Sequence, residues 1–253
     1  MNLSFHIQIA KTREEMGKAA AKCAAAAIRA VLAEKECANV IFAAAPSQNE
    51  MLAGLLQEDL DFSRINALHM DEYVGLHADD PHSFAAYLTG HIFGKAPFRS
   101  VNLIPATLAP DEACAVYTEC LQKYPVDVVC LGIGENGHIA FNDPPVADFH
   151  DPVLIKKVPL DPVCRMQQVH DGCFENLDQV PTHALTLTVP ALLAARTLIC
   201  TVPSATKAAA VKEMLCGKIG THCPASILRL HADCSLFLDK DSAAELPFAE
   251  VAR

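Results

Sequence analysis

Apolar residues fall along the chain in short, nearly continuous runs, separated by longer segments with helical character. The runs are NVIFAAA (39–45), INALHM (65–70), VDVVCLGI (126–133), HALTLTV (183–189) and RTLICTV (196–202), with DCSLFLD (233–239) adding a late one. Several have the length and the near-uniform apolar character of strands buried on both faces. Near the start, Leu3, Phe5, Ile7 and Ile9 alternate with other residues, which predicts an edge or core strand. Residues 13–35 are rich in Ala, Lys and Glu and predict a long helix; further helices are expected from about Glu50 and over about 83–93, 111–123 and 205–216. Strands spaced by helices predict an α/β fold, a doubly wound, mostly parallel sheet with helices on both faces. The most irregular stretch is 140–182, where prolines at 144, 145, 152, 159, 162 and 181 predict chain that is partly loop. No Gly/Ser linker, low-complexity tract or repeat divides the sequence, so one domain over 1–253 is expected.

Composition narrows the function classes. Thirty acidic against 20 basic side chains give a formal charge of -10, and neither basic runs nor basic–aromatic interleaving occur. Nucleic acid and anionic membrane surfaces are therefore not the expected partners, whereas an anionic small molecule needs only a local positive field. The apolar window ALLAARTLICTVP carries Arg196 and a proline at each side, so no membrane span is predicted. Eleven scattered cysteines without a secretory signal fit buried free thiols in a reducing compartment, and the expected location is cytoplasmic. A sheet core and an oligomer face share this composition, so a homo-oligomer is compatible with it.

In doubly wound sheets ligands bind beyond the carboxyl ends of the strands. That rule directs attention to Ala43–Asn49, His69–Gly75 and Gly132–Asp143. Gly132, Gly134 and Gly137 form G-x-G-x-x-G, the outline of a dinucleotide turn. The motif comes halfway along the chain, and HIAFNDPPV is a poor start for a pyrophosphate-binding helix, so no cofactor is expected. His138 in the same turn has Glu135, Asn136 and Asp143 nearby to orient its ring. It suits proton transfer near neutral pH, or simply a hydrogen bond within its own turn. Asp71 and Glu72 end another run; neighbouring strand residues face opposite ways, so one carboxylate can point into the crevice while the other is solvated or caps a helix. Proton abstraction beside a carbonyl fits this set, with Asp71 as base and His138 handling oxygen-bound protons. Two solvent-facing acids are the plain alternative.

The blocks MDEYVGL, GxxGHIAFN with an acid and proline after it, VPTHALTLTVPALL and SATKA occur in the order seen in glucosamine-6-phosphate deaminases, and the chain resembles that family over nearly its whole length. The resemblance implies a modified Rossmann-like fold and an aldose–ketose isomerisation with deamination. An amino sugar 6-phosphate would become a ketose 6-phosphate and ammonia. Asp71 matches the family's proton-moving carboxylate and His138 its ring-opening histidine, with Asn136 and Asp143 at the positions of supporting acids. Asn136 departs from the family's Asp there. The family's phosphate loop corresponds to PSQNEM, where Ser47 keeps a hydroxyl, Gln48 and Asn49 replace glycines, and Glu50 requires a cation or a turn away from the phosphate. Lys207 matches a phosphate lysine, and His170 falls near the family's phosphate arginine. Arg165 offers a bidentate fork as another candidate, or forms a surface salt bridge.

The related 6-phosphogluconolactonases also have an acidic strand end and a G-H turn, so a lactone hydrolase with His138 activating water is the second reading. A non-catalytic sugar-phosphate sensor is the third, favoured by Asn136 and Glu50. His69, His77, His82, His91 and His183 receive no role, and Cys216 and Cys223 lack a second C-x-x-C pair, so no metal is expected.

Overall fold

The computed structural model describes residues 4–247. Its main sheet has seven strands, all parallel: β1 (Ser4–Ala10), β2 (Ala38–Phe42), β3 (Ile65–His69), β5 (Ser100–Asn102), β6 (Val128–Leu131), β9 (Thr197–Val202) and β10 (Asp233–Asp239). They lie in the order β1-β10-β9-β6-β2-β3-β5. The expected alternation at 3–9 is the edge strand β1, although Leu3 lies outside the described residues. Strand β5 was not foreseen, because SVN is too short and too exposed to carry an apolar signal.

A second, three-stranded antiparallel sheet joins β4 (Asp71–Tyr73), β8 (His183–Leu187) and β7 (Ile155–Pro159) in the order β4-β8-β7. The run HALTLTV thus belongs to this small sheet and not to the parallel one. Its apolar content, indistinguishable from that of a central strand, reflects burial against the main sheet: Leu185 and Leu187 join the same core as Ile41, Val129 and Leu198.

Alternate residues of the central strands enter two cores, one on each face. Val40, Phe42, Val128 and Cys130 pack with α1 (Arg13–Glu34) and α2 (Asn49–Leu55). Ile41, Val129 and Leu131 pack with α4 (Pro110–Lys123), α6 (Val189–Leu193) and α7 (Ala208–Cys216). Two further helices, α3 (Phe84–Leu88) and α5 (Pro162–His170), border the carboxyl ends of the strands. The irregular stretch 140–182 contains both β7 and α5; Pro162 sits in the first turn of α5, where its missing N–H is no loss.

Helix α1 starts at Thr12, whose hydroxyl accepts from Glu15 N, and buries Met16, Gly17, Ala20, Ala21, Ala24, Ala25, Ile28 and Val31 along one stripe. Small residues there let α2 approach closely. A methyl on Gly17 would stand 2.2 Å from Glu50 Cβ. Alanine normally favours a helix interior over glycine by about 1 kcal/mol, whereas forcing a methyl into closed packing opposes it by about 1–3 kcal/mol. With a methyl 2.2 Å from Glu50 Cβ the packing cost wins, and Gly17→Ala is expected to lower the denaturation midpoint by the equivalent of up to about 2 kcal/mol at constant m. A raised midpoint would show that α1 and α2 separate freely.

Candidate active site

Connections from β2 lead toward β3 and β5, while those from β6 lead the other way, toward β9 and β10. The strand order therefore reverses between β2 and β6, where a doubly wound sheet opens a ligand crevice. A crevice enclosing about 480 Å³, mouth included, lies there, lined by Ala43–Ala45, Ser47, Asp71, Gly132–Gly134, His138, Phe141, Gln167 and Gln168 among others. Two of the sequence's three strand-end candidates meet directly, and β4 brings in the third.

The three glycines each have a local reason that involves no nucleotide. A Cβ on Gly132 would stand 2.9 Å from Gln48 Nε2 and 3.1 Å from Ser47 Oγ, so the bare backbone admits the β2 turn. A Cβ on Gly134 would stand 2.1 Å from Cε1 of His138; the imidazole occupies that space. Gly137 has φ +81°, a left-handed conformation that glycine adopts without strain. No helix follows until α5, so the amide-rich terminus a pyrophosphate needs is missing.

The His138 ring is held from one side. Its Nδ1 lies 2.8 Å from Asn136 Oδ1 and 2.9 Å from Asp143 Oδ1, and Asn136 Nδ2 donates to the same Asp143 oxygen at 3.0 Å. Two acceptors around Nδ1 place the proton on that nitrogen, leaving Nε2 as an acceptor. Asn136 thus bridges histidine and carboxylate: its oxygen accepts from the ring and from His138 N, while its amide donates to Asp143. Burial pushes the Asp143 carboxyl up, but the His138 contact, the Asn136 amide and the Asp161 N–H together hold it below its ordinary value.

Asp71 and Glu72 face opposite ways, as strand geometry requires. Glu72 is buried and accepts from Tyr73 N, Phe84 N and Ala85 N at 2.9, 3.1 and 2.9 Å, capping α3. Burial pushes it up to about 7 against the pull of those three N–H groups. Asp71, 7% exposed, lines the crevice, and its carboxylate has no hydrogen-bond partner among the described residues. Burial first, and the neighbouring Glu72 charge second, raise it well above the ordinary Asp value.

β8 ties this carboxylate to the histidine turn. Thr186 stands opposite Asp71 in the antiparallel ladder, and its hydroxyl accepts from Phe141 N at 3.1 Å. Asn142 donates to Leu187 O at 2.8 Å, and Leu187 N donates to Met70 O at 2.8 Å. The MDEY, HIAFN and HALTLT segments are therefore one hydrogen-bonded unit.

The expected anion-binding residues divide. Ser47 lines the crevice. Gln48 does not: it is fully buried, accepts from Thr201 Oγ1 at 2.8 Å and donates to Ser47 Oγ at 3.0 Å, so it positions Ser47 from beneath. Glu50 pairs with Arg13 Nε at 2.8 Å, and Arg13 also donates to Pro46 O, so the acid in the loop is neutralised by a cation from α1. Arg165 is committed elsewhere; it donates to Leu177 O and Val180 O, both at 2.7 Å, and among the described residues it makes neither a salt bridge nor a crevice wall. His170 is exposed at the end of α5, with Nδ1 3.4 Å from Glu135 Oε2, and does not line the crevice. Lys207 too is outside the crevice lining; it is 5% exposed, and its ammonium, buried, meets no hydrogen-bond partner among the described residues. Burial lowers its pKa, opposed by the more distant charges of Asp171 and Glu135. His69 is a core residue: Nε2 accepts from Ile104 N at 2.7 Å, and burial drives its pKa down to about 3.

Gln167 and Gln168 were missed by sequence reasoning. Gln167 accepts from Glu135 N at 2.9 Å and so braces the histidine turn. Their signal was hidden in a proline-rich stretch whose short helix lacks a strong apolar stripe. Arg13 was missed as well; its pairing with Glu50 joins segments that no spacing rule connects.

Comparison with known proteins places the fold. Residues 11–236 match the family of glucosamine-6-phosphate isomerases and 6-phosphogluconolactonases. A glucosamine-6-phosphate deaminase of Listeria monocytogenes is 35% identical over 210 residues, covering 82% of this chain and 88% of that protein. One of Bacillus cereus is 33% identical over 240 residues, covering 94% and 88%. The solved structure of a monomeric glucosamine-6-phosphate deaminase superposes with a TM-score of 0.85 at 29% identity, over 94% of this chain and 99% of that one. A 6-phosphogluconolactonase of Thermotoga maritima, 18% identical with a TM-score of 0.77 over 93% and 100% of the two chains, shares the fold. The chain belongs to the glucosamine-6-phosphate isomerase/6-phosphogluconolactonase family. No helix among the described residues is long and apolar enough to cross a membrane.

A buried ammonium without a partner destabilises the unliganded fold. Because burial depresses the folded-state pKa of Lys207, the penalty of holding the charged form applies in full at every pH below that value, and it fades as pH rises from there toward the ordinary lysine value. Lys207→Met is expected to raise stability at pH 7 by about 1–3 kcal/mol, with the gain shrinking in alkaline buffer. Inorganic phosphate should stabilise the wild type and leave the variant unmoved in the same denaturation assay. Equal phosphate effects on both would remove Lys207 from anion binding.

Proposed function

We propose that the protein is a glucosamine-6-phosphate deaminase-like enzyme, converting an amino sugar 6-phosphate and water into a ketose 6-phosphate and ammonia. The observation that carries this reading is the placement of Asp71 and His138 on one crevice at the strand-order reversal, with the ring held through Nδ1. His138 Nε2 takes the proton from the anomeric hydroxyl and returns it to the ring oxygen, opening the pyranose. Asp71 takes the proton from C2 and delivers it to C1, and the resulting imine at C2 is hydrolysed by water to release ammonia. Proton transfer of this kind needs an ionised carboxylate whose basicity is raised, and burial beside Glu72 supplies that. Lys207 and Ser47 take the phosphate, with Arg13 cancelling Glu50 at the loop. The relatives' named activity and the shared TM-score of 0.85 support this assignment.

The sensor reading loses its main support at Asn136. The amide does not leave His138 without a charge, because Asp143 lies 2.9 Å from the same nitrogen. Purified protein is therefore expected to release ammonia from at least one member of a panel of glucosamine, galactosamine and N-acetylated 6-phosphates. Tight ligand binding without ammonia would establish a sensor, and 6-phosphogluconolactone hydrolysis without ammonia would establish a lactonase.

Asp71→Asn should fold normally and lower turnover by about 10²–10⁴-fold, with loss of solvent deuterium incorporation into the sugar. Retained incorporation would sink the assigned role. Since catalysis needs ionised Asp71 and its pKa is raised, the acid limb of kcat/KM should lie above the usual carboxylate range. Glu72→Gln removes the neighbouring charge and should move that limb to lower pH; an unmoved limb would assign it to another group.

A further inference from the structure

Behind the histidine lies a thiol that the proton chemistry does not use. Cys164 on α5 is 1% exposed, and its Sγ, a carboxylate oxygen of Asp143 and a ring nitrogen of His138 all fall within 4.8 Å of one another. The nitrogen on that side is Nδ1, 2.9 Å from Asp143 Oδ1. All three side chains are buried. One imidazole nitrogen, one carboxylate and one thiol converging on a point form a donor set for a zinc-class divalent ion; Mg²⁺ and Ca²⁺ would ask for oxygen ligands. We propose that His138, Asp143 and Cys164 bind a zinc-class divalent cation, which takes the place of the proton on Nδ1.

The charges balance. The Nδ1 proton moves to Nε2 as the ring changes tautomer, and the thiol proton leaves to solvent, so one proton is released per ion. The dication, a thiolate and a carboxylate then make a neutral unit, which burial tolerates far better than separate charges. Asn136 Oδ1, 2.8 Å from Nδ1, supplies a nearby oxygen for a fourth position. A second cleft, lined by Asp143, Val146, Leu160, Asp161 and Pro162 among others, reaches Asp143, whereas the substrate crevice reaches His138. The ion's consequence for activity rests on the proton-transfer reading above: with Nε2 protonated, His138 no longer accepts a proton, and turnover stops.

The test reads binding, not turnover, so its failure and the failure of the deaminase reading are separate results. Zn²⁺ is titrated calorimetrically into the reduced, metal-free full chain in buffers of different ionisation heat. Co²⁺ is followed by its thiolate charge-transfer absorption, and the His138 ring by ¹⁵N resonances. Expected are one ion per chain with release of about one proton, a thiolate band with Co²⁺, and a switch of His138 from the Nδ1–H to the Nε2–H form. Cys164→Val should weaken binding at least about tenfold and abolish the band. Absence of Zn²⁺ binding would overturn the proposal, as would binding that leaves the His138 tautomer unchanged, the mark of an ion on surface groups such as Cys216. Undiminished affinity in Cys164→Val would do the same. If that variant does not fold, the ring tautomer of the wild type decides alone.

Discussion

The parallel pairing of β2 with β6 is the contact on which the rest of the molecule hangs. Val40, Ile41 and Phe42 face Val128, Val129 and Cys130, and Ala43 N extends the ladder to Cys130 O at 2.9 Å. Both strands are buried on both faces, so a slip of one residue would exchange every side chain between two differently shaped cores. That register sets the Ala43–Ser47 turn against the Gly132–Gly134 turn, and the crevice is the gap their diverging connections leave. The glycines of the second turn then fall into place as steric permissions: one for the β2 loop, one for an imidazole, one for a left-handed residue docked against Cys223.

A second constraint works across the sheets. The small antiparallel sheet is too short to stand by itself, and its strands are held by the Met70, Phe141 and Asn142 bonds to the chain around the crevice. Those bonds set the distance between Asp71 and His138 through rigid backbone instead of mobile loops. Around this frame the polar groups sort by whether folding satisfies them. Glu72, Gln48, Arg165 and His69 have found backbone or side-chain partners and act as structure. Among the described residues the Asp71 carboxylate and the Lys207 ammonium have none, and a buried charged group left open in this way is one that a ligand would complete.

At Asn136, where the resemblance implies an acid, an amide holds the histidine turn together with one charge fewer. One carboxylate, Asp143, carries the charge that two would share, and the amide keeps the ring tautomer by accepting from Nδ1 while donating onward. A neutral bridge also avoids placing a second buried anion next to Asp143 and Cys164, where mutual repulsion would raise both acids. On this side of the ring Asn136 and Asp143 together support His138, and it is there that a thiol stands within reach of the ring.

Much of the architecture was legible in the chain alone, for a definite reason. Strands buried on both faces are written as continuous apolar runs, helices as periodic ones, and the carboxyl-end rule then points to Ala43–Asn49, His69–Gly75 and Gly132–Asp143. Asp71 and His138 followed from that logic, and the resemblance supplied Lys207. What local pattern could not contain was any pairing between distant segments: HALTLTV reads like a main-sheet strand because hydrophobicity records burial and not hydrogen-bond partners. Arg165 and Gln48 look like free ligands until the Leu177 and Val180 carbonyls and Thr201 are brought to them, and Glu50 looks like a liability until Arg13 arrives from α1. The amino-acid order determined which positions would be buried and which strand ends meet at the crevice. Only tertiary structure decided which buried polar groups were left unpartnered, because satisfaction of a donor or acceptor depends on atoms that are near in space and remote in the chain.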